Sequence, residues 1–325
     1  MTEMLEVDDL RCSILTRRGQ VKAVDGVTFS MAAGQSLGVV GESGSGKTMT
    51  ALALLRLFGP ATRVRLSGRA MFEGRDLLRM SGHDLRNVRG GRIGFVFQDP
   101  LTSLDPVVPV GGQIAEAITR HRDVSRKGAA TRAIELMERV GIPNASRRSA
   151  DLPHRFSGGM RQRIMIAMAI SCEPKLLIAD EATTALDATV QAQILSLLVD
   201  LQRDLGMSMM VISHDLGVIA ATCETAQVMY AGRIVEQAPV RELLGNAAHP
   251  YSSALIRLIP RIDQMAHHRL RPIPGSPPMM IGHHAGCRFA SRCDKRIERC
   301  GDEAPETTQI AEQHSVACWV TGAPR

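Results

Sequence analysis

The sequence predicts an α/β fold, built on a mainly parallel sheet with helices on both faces. Short apolar segments alternate with longer helix-forming segments along most of the chain, which is typical of such sheets. A glycine-rich loop lies between one apolar segment and one helix-forming segment, the usual context of a phosphate-binding loop. The 325 residues are enough for one large domain or two. Aromatic residues make up only 3% of the chain, so we expect an aliphatic core.

The glycine-rich loop fits the pattern G-x-x-x-x-G-K-[ST]. Its glycines let the backbone curl so that several N–H groups point inward, and the helix that follows adds its positive N-terminal end. Lys47 is predicted to reach the β- and γ-phosphates of a nucleotide, and Thr48 to place its hydroxyl on Mg²⁺. The alternative is a plain glycine-rich turn. The loop residues are Gly41, Glu42, Ser43, Gly44, Ser45, Gly46, Lys47 and Thr48.

The other elements follow from hydrophobic patterning and from residues that break it. Residues 99–156 have helical character and are predicted to form a helical insertion. Within it, Ser125 is a candidate N-cap for a helix that ends at Gly141 and Pro143. Strands are predicted at 4–10, 21–31, 36–40, 66–73, 92–97, 176–179, 207–213 and 226–230. Further helices are predicted at 47–58, 77–88, 110–120, 157–170, 188–205, 216–222 and 239–244.

The composition changes near residue 245. Prolines punctuate the segment beyond it, and no internal repeat is apparent. We therefore predict two domains, residues 1–245 and residues 246–325, of which the second is rich in loops.

Two carboxylates follow the apolar segment at 176–179. Ligands of parallel sheets bind at the carboxyl ends of the strands. Asp180 is thus placed to hold Mg²⁺ beside Thr48, directly or through a water. Glu181 is placed next to the γ-phosphate, where a carboxylate can polarise the attacking water. The alternative is a solvated acidic strand end.

Gln98 and His214 also follow predicted strands. Gln98 can contact Mg²⁺ or the attacking water, and its position before the helical insertion makes it a natural hinge. His214 can hydrogen-bond the γ-phosphate, although a lone histidine is more often structural.

A second glycine-rich helix start lies at residues 156–163. The Ser157 side chain, the N–H groups of Gly158 and Gly159 and the helix dipole can together bind phosphate oxygens. One nucleotide does not need two such helix ends in one fold, so this one is a candidate for serving another subunit. The alternative is an ordinary N-cap at Ser157.

The order of these five motifs resembles that of the ATP-binding cassette (ABC) ATPases over nearly all of residues 4–245. Ser157, Gly158, Gly159 and Gln162 match the family's signature motif, and residues 184–187 (Thr-Ala-Leu-Asp) match the loop that faces a partner nucleotide-binding domain. The resemblance implies a P-loop NTPase core with an antiparallel β subdomain and a helical subdomain inserted at about 99–165. It also implies paired cassettes, in which each ATP lies between one subunit's phosphate loop and the other's signature helix.

The finer resemblance, to the ATPase subunits of oligopeptide and dipeptide importers, covers almost the whole chain. It is carried by residues 156–163 and 183–187 and by the tail segments 249–251, 272–278 and 286–289. It implies ATP hydrolysis, with Mg²⁺, that drives uptake of peptides or a related small solute across the bacterial inner membrane. The implied partners are a second ABC ATPase subunit, identical or related, two membrane permease subunits and, indirectly, a periplasmic solute-binding protein. The chain is then peripheral to the cytoplasmic face of that membrane.

Two positions depart from the family pattern. The family usually stacks adenine on an aromatic residue before the second strand, whereas this chain offers Ile14 or Leu15 there. Losing the stacking contact costs about 1 kcal/mol and relaxes base selectivity. Ala182 stands where the subfamily often has proline, a change that we expect to be tolerated.

Four cysteines crowd into the last 39 residues. Disulfides are disfavoured in a reducing cytosol, and the C-x2–4-C knuckles of structural zinc sites are absent. Four thiolates at wider spacing can hold a 4Fe–4S cluster, which some members of the importer family carry at matching positions. Zinc and unliganded thiols are the alternatives. The four are Cys287, Cys293, Cys300 and Cys318.

Several other classes fit less well. The net charge of +6 is spread along the chain, and the interleaving of basic and aromatic residues typical of nucleic-acid binding is missing, so we expect no nucleic-acid partner. No apolar run reaches the ~18 residues that span a bilayer, and the acidic N-terminus lacks a signal-peptide pattern. Non-transport ABC proteins commonly carry two cassettes or a long coiled coil. A nucleotide- or redox-sensing module without turnover would be expected to lack Glu181 or His214.

Overall fold

The computed structural model describes residues 3–17, 19–184, 186–259, 272–282 and 284–321. The chain divides into two compact units. One holds Ala32–Gln35 and Met80–Val211 and is called the helical unit because it contains the helical insertion. The other, the phosphate-loop unit, carries the glycine-rich loop and holds Thr2–Met31, Ser36–Arg79 and Ile212–Arg325.

The strands and helices are numbered here in chain order. The strands are β1 (Glu3–Thr16), β2 (Gly19–Ala32), β3 (Ser36–Val40), β4 (Val64–Phe72), β5 (Arg75–Asp76), β6 (Ile93–Val96), β7 (Leu176–Asp180), β8 (Ser208–Ser213), β9 (Thr225–Tyr230), β10 (Arg233–Pro239), β11 (Thr308–Ala311) and β12 (His314–Val316). The α-helices are α1 (Lys47–Leu54), α2 (Gly82–Val88), α3 (Pro100–Ser103), α4 (Val110–His121), α5 (Arg126–Arg139), α6 (Ala145–Arg148), α7 (Gly158–Ile170), α8 (Ala188–Leu205), α9 (Leu216–Thr222), α10 (Val240–Asn246), α11 (Pro250–Ile256) and α12 (Arg299–Asp302).

A four-stranded sheet in the phosphate-loop unit has the order β2-β1-β4-β5. β1 pairs with β4 in antiparallel register, with Leu5 opposite Phe72 and Ile14 opposite Val64. β4 pairs with β5 in the same antiparallel sense. This sheet confirms the antiparallel β subdomain that the family resemblance implies.

The other strands are parallel only in part. β3 pairs with β9, and β6 with β7, in parallel. β10 pairs antiparallel with both β9 and β12, and β11 with β12. The phosphate-loop unit therefore has the order β11-β12-β10-β9-β3, while in the helical unit β7 lies between β8 and β6. The chain turns between β9 and β10 through Ala231 and Gly232, both with positive φ, which is the geometry of a tight hairpin.

The predicted insertion is helical, since α3 to α6 lie within residues 99–156 and α7 follows directly. Ser125 caps α5 as predicted, because its side chain accepts the N–H of Gly128 at 3.1 Å. Buried apolar side chains line α4 and α5, among them Ile114 and Met137. These contacts hold the insertion together as a small aliphatic core.

Two predicted helices are shorter in the structure. α1 ends at Leu54 because Arg56 takes a left-handed φ of 51°, and the N–H of Leu57 returns to Leu52 O at 2.9 Å. This is a Schellman ending, which helix propensity does not reveal. α2 begins only at Gly82 because the Ser81 side chain accepts the N–H of Asp84 at 3.1 Å and caps it.

The tail beyond residue 245 contains more regular structure than predicted. It includes α11, α12 and the short strands β11 and β12, and β12 adds to β10 with Val316 opposite Glu236. Strands of three or four residues are too short for a hydrophobic period to reveal them. Within the described parts of the chain, no helix has the length and apolar character needed to cross a membrane.

Candidate nucleotide site

The glycine-rich loop connects β3, which is buried along its whole length, to α1. A Cβ atom at Gly41 would lie 2.2 Å from the carbonyl oxygen of Met229. Gly46, the N-cap of α1, has a φ of 106°, and a Cβ there would lie 2.4 Å from the carbonyl oxygen of Ala23. Only glycine fits these two positions, which keeps the backbone of the loop tightly curled.

Lys47 is buried and folds back over the loop. Its Nζ donates to Gly41 O at 2.7 Å and to Glu42 O at 3.0 Å. The Ser45 hydroxyl is buried and has no hydrogen-bond partner among the described residues. An ammonium and an orphaned hydroxyl in a loop at a helix N-terminus are groups that a phosphate can take as hydrogen-bond donors. The loop therefore fits the triphosphate of a nucleotide, with Thr48 in the first turn of α1.

Glu42 is held from outside the loop. Its N–H donates to the Tyr251 hydroxyl at 2.8 Å. Its carboxylate accepts two hydrogen bonds from Arg292, Nη1 to Oε2 at 2.7 Å and Nη2 to Oε1 at 3.0 Å. The ion pair is therefore bidentate, a geometry that among cationic side chains only arginine provides.

Three aromatic rings surround the contacts of Glu42. Tyr230 and Tyr251 are the only tyrosines in the chain, and their ring centroids are 4.6 Å apart. Phe289 lies 5.2 Å from Tyr230 and 5.3 Å from Tyr251. Sequence reasoning missed Tyr251, Phe289 and Arg292 as supports of the loop. The available signal was the rarity of aromatic residues, two of which lie in the tail segments 249–251 and 286–289.

In the helical unit the structure brings Gln98 and Glu181 together. Asp180 is buried at the end of β7, and Glu181 follows it with a left-handed φ of 46°. Glu181 Oε2 accepts Gln98 Nε2 at 2.9 Å and the Thr184 hydroxyl at 3.2 Å. A non-glycine residue with positive φ is strained, and such strain clusters at functional sites. Thr184 is a contact that the sequence analysis did not single out.

His214 follows β8 directly and is exposed. The next residue, Asp215, caps α9 through the N–H of Gly217 at 2.7 Å. The histidine therefore lies at the carboxyl end of a buried strand, as predicted.

Ser157 is exposed and is the N-cap of α7, since its side chain accepts the N–H of Met160 at 3.3 Å. Gly159 has no room for a side chain, because a Cβ would lie 2.5 Å from Val190. Gln162 is buried, and its Nε2 has no hydrogen-bond partner among the described residues. The helix end thus offers an exposed hydroxyl and the backbone N–H groups of Gly158 and Gly159 to a ligand.

The predicted partner-facing loop leads into α8. Asp187 caps this helix by accepting the N–H groups of Thr189 and Val190 at 3.1 and 3.0 Å. Ala185 lies outside the described residues.

Comparisons with known proteins agree with these motifs. Residues 24–184 match the family model described as ABC transporter, and residues 235–300 match the one described as oligopeptide/dipeptide transporter, C-terminal region. The probable peptide ABC transporter ATP-binding protein y4tR of Sinorhizobium fredii is 48% identical over 97% of this chain and 94% of its own. The oligopeptide transport ATP-binding protein OppD of Bacillus subtilis is 44% identical over 98% of this chain and 89% of its own.

The chain belongs to the ABC transporter family. It is an ATPase subunit of that family, and its fold is similar to that of solved cassettes. The ATP-binding cassette MJ0796, solved as a dimer with ADP and Pi after hydrolysis, aligns with a TM-score of 0.65 and 24% identity. The match covers 73% of this chain and 99% of that one, and it concerns the fold alone.

Ile14, expected where ABC ATPases commonly stack adenine, lies near the end of β1 and is half-buried. Its neighbour Leu15 is exposed by 45%. Both are aliphatic, so this ABC ATPase offers an apolar contact but no aromatic ring from this strand end.

The four tail cysteines lie near one another. Burial raises the pKa of the Cys287 thiol, and the neighbouring thiols of Cys300, Cys318 and Cys293 raise it further. Burial also raises the pKa of Cys293. Yet among the described residues no three His, Cys, Asp or Glu side chains are grouped so that they could hold a metal ion. The structure therefore gives no support to the iron–sulfur prediction.

Proposed function

We propose that this ABC ATPase drives the uptake of peptides, or of a related small solute, by an importer in a bacterial inner membrane. The observation that carries hydrolysis is the strained Glu181, hydrogen-bonded to Gln98 just after the buried strand β7. The substrate class rests on the names of y4tR and OppD and on the match to the oligopeptide/dipeptide C-terminal region.

The loop residues 41–48 bind the phosphates of ATP, with Lys47 supplying charge to the β- and γ-phosphates. Thr48, Gln98 and Asp180 would hold Mg²⁺, whose charge would offset the negative charge of the phosphate oxygens. Glu181 polarises the attacking water, and His214 hydrogen-bonds the γ-phosphate. Ile14 contacts the adenine. These roles follow from the motif positions and from family membership.

The first turn of α7, with Ser157, Gly158, Gly159 and Gln162, binds the nucleotide held by a second ABC ATPase subunit. Two permease subunits and, indirectly, a periplasmic solute-binding protein complete the transporter. The chain then acts at the cytoplasmic face of the membrane. In the chain itself, residues 1–245 form the nucleotide-binding domain and residues 246–325 form a C-terminal extension.

The four-cysteine site remains a proposal based on its donors alone. Four cysteine thiols that lie near one another are a suitable set of donors for a 4Fe–4S cluster, with zinc the less favoured alternative. Assays of iron and acid-labile sulfide in protein that is purified without oxygen test directly for the cluster. A colourless protein without iron, sulfide or zinc means that the thiols are unliganded.

The central prediction concerns Glu181→Gln. The amide keeps the size of the side chain but cannot act as a base, so we expect steady-state ATP hydrolysis to fall by about 100-fold or more, with ATP binding retained. Phosphate release by the assembled transporter and equilibrium binding of fluorescent ATP measure the two quantities. Glu135→Gln, on the exposed side of α5, is the matched control. Unchanged turnover in Glu181→Gln contradicts the assigned role.

Transport is tested by coexpressing the chain with candidate permease subunits and reconstituting the complex in vesicles. We expect uptake of a labelled peptide pool only when ATP and Mg²⁺ are on the side of this chain. Lys47→Ala, which removes the phosphate-binding ammonium, should abolish uptake. Uptake of another small solute without peptide uptake would correct the substrate class and leave the ATPase assignment intact.

A further inference from the structure

We propose that the tail positions the phosphate loop for ATP through Glu42, with Arg292 neutralising the carboxylate and Tyr251 fixing the peptide. The proposal rests on the proposed ATP site and extends it to residues of the tail. It assigns to these residues a positioning role, since neither is placed to touch the reacting atoms.

A carboxylate in the second position of a phosphate loop is an electrostatic problem. ATP brings several negative charges to the loop, and an unpaired Glu42 would repel them. The ion pair with Arg292 removes this repulsion. Arg292 is well placed to do so, because its side chain is only 4% exposed and solvent screens the pair little.

Arg292 is itself rigidly held. Its Nε donates to Pro274 O at 2.7 Å, and its Nη2 to Ile273 O at 3.3 Å. Its guanidinium lies over the rings of Tyr230 and Phe289, 5.8 and 6.0 Å from their centroids. The hydrogen bond that Arg292 donates to Glu42 raises the pKa of Arg292 above its ordinary value, so the guanidinium stays charged. A fully committed guanidinium fixes the direction of the Glu42 carboxylate as well as its charge.

The tail also contacts the backbone of the phosphate loop, and through it affects Lys47. The N–H of Glu42 is committed to Tyr251, which is fully buried on α11. The carbonyl of Gly41 lies in the same peptide unit as that N–H and accepts Lys47 Nζ at 2.7 Å. Any rotation of the Gly41–Glu42 peptide would therefore move an acceptor of the lysine that is proposed to bind the phosphates. In this way tail residues set the geometry of the loop.

The test is a charge-rescue series in the full chain, with affinity for fluorescent Mg-ATP as the main measurement. Arg292→Gln leaves the Glu42 carboxylate unpaired, so we expect ATP to bind about tenfold more weakly. Glu42→Gln combined with Arg292→Gln removes the repulsion and the need for the cation, so it should recover most of this loss. Arg292→Lys keeps the charge without the fork and should lie between the wild type and Arg292→Gln.

A purely structural Arg292 predicts a different pattern, in which the double variant binds ATP as weakly as Arg292→Gln or worse. That result, or wild-type affinity in Arg292→Gln, overturns the proposal. Arg299→Gln is the matched control, since Arg299 forms an exposed ion pair with Glu303 in the same tail and should leave ATP affinity unchanged. Thermal unfolding of each variant identifies a general loss of folding. If the wild-type chain itself binds no ATP, the proposed function fails instead.

Discussion

Among single residues, Asp25 carries an unusual share of the contacts in the phosphate-loop unit. Its buried carboxylate accepts hydrogen bonds from Arg11 on β1 and from Arg288 in the tail, while Lys22 and Arg233 lie 3.9 and 3.7 Å away. Burial alone would raise the pKa of Asp25. The hydrogen bond and charge of Arg288, with Lys22 and Arg233, outweigh burial and lower it below its ordinary value.

Replacing Asp25 by Asn should therefore destabilise the protein by about 3–5 kcal/mol, because it leaves the buried Arg288 without a counter-charge. Urea unfolding at pH 7 measures the loss. Because the folded-state pKa is the lower one, this stabilisation is present above about pH 3.9 and is lost as the pH falls below it. Asp200→Asn, which breaks the exposed pair with Arg203, should change stability by less than about 0.5 kcal/mol. Equal effects of the two variants would contradict this account.

The phosphate loop likewise depends on a single residue, Gly41, where a side chain cannot be accommodated. Gly41→Ala would press a methyl group against the carbonyl of Met229, so we expect loss of ATP binding together with lower stability. Gly245→Ala is the matched control, because no described residue outside the helix's own backbone lies within 4 Å of the added methyl group, and alanine favours the helix α10. Fluorescent-ATP titration and thermal unfolding compare them. A Gly41→Ala protein with normal affinity would show that the loop has room to shift.

On the scale of elements, α11 depends on a histidine cap. His249 Nδ1 accepts the N–H of Tyr251 at 3.0 Å, so the ring caps the helix that carries the Glu42 contact. The buried carboxylate of Glu236 accepts the N–H groups of Ala248 and His249 and contacts His314 Nε2 at 2.7 Å. β10, β12 and the start of α11 are thereby joined at one carboxylate.

The histidine cap predicts acid sensitivity. Burial lowers the pKa of His249 to about 3, against about 6.5 in the unfolded chain. Between these values the unfolded state binds a proton that the folded state does not, so stability falls as the pH drops below about 6.5, by up to about 1.4 kcal/mol per pH unit.

His249→Asn keeps a capping side chain and removes the titration. We expect a shallower loss of unfolding free energy than in the wild type between pH 6 and pH 4.5, measured by urea unfolding. His83→Asn, on the exposed face of α2, gives the effect of removing a surface histidine. Identical slopes in the wild type and His249→Asn would count against the cap as the source.

At the scale of the whole molecule, the chain carries two helix ends suited to phosphate, the start of α1 and the start of α7. If the second serves a partner's nucleotide, Ser157→Arg should leave ATP affinity of the isolated chain within about twofold. It should lower hydrolysis by the assembled transporter about tenfold or more.

Ser125→Arg is its matched control, since Ser125 is another exposed serine that caps a helix with the same backbone geometry. We expect both variants to lose about 1 kcal/mol of stability from the missing cap. Only Ser157→Arg should lose turnover. Weaker ATP binding by the isolated Ser157→Arg chain would mean that α7 serves its own nucleotide.

The sequence by itself determined eight of the twelve described strands, the helical insertion and the order of the motifs. Those features are local: an apolar strand followed by Gly41, Gly46 and Lys47 specifies a phosphate loop through backbone geometry, wherever the rest of the chain lies. Helix ends were less well predicted, because the turns at Arg56 and Ser81 depend on a few hydrogen bonds rather than on periodicity.

Only the tertiary structure revealed what holds the site. The Glu42–Arg292 pair joins residues 250 positions apart, and the Asp25–Arg288 pair joins residues 263 positions apart. No local pattern records such pairings, because ion pairs and aromatic contacts form between whatever surfaces folding brings together. Glu181 illustrates both levels. Its place after β7 was readable from the chain, whereas its positive φ and its hydrogen bonds to Gln98 and Thr184 exist only in the folded molecule.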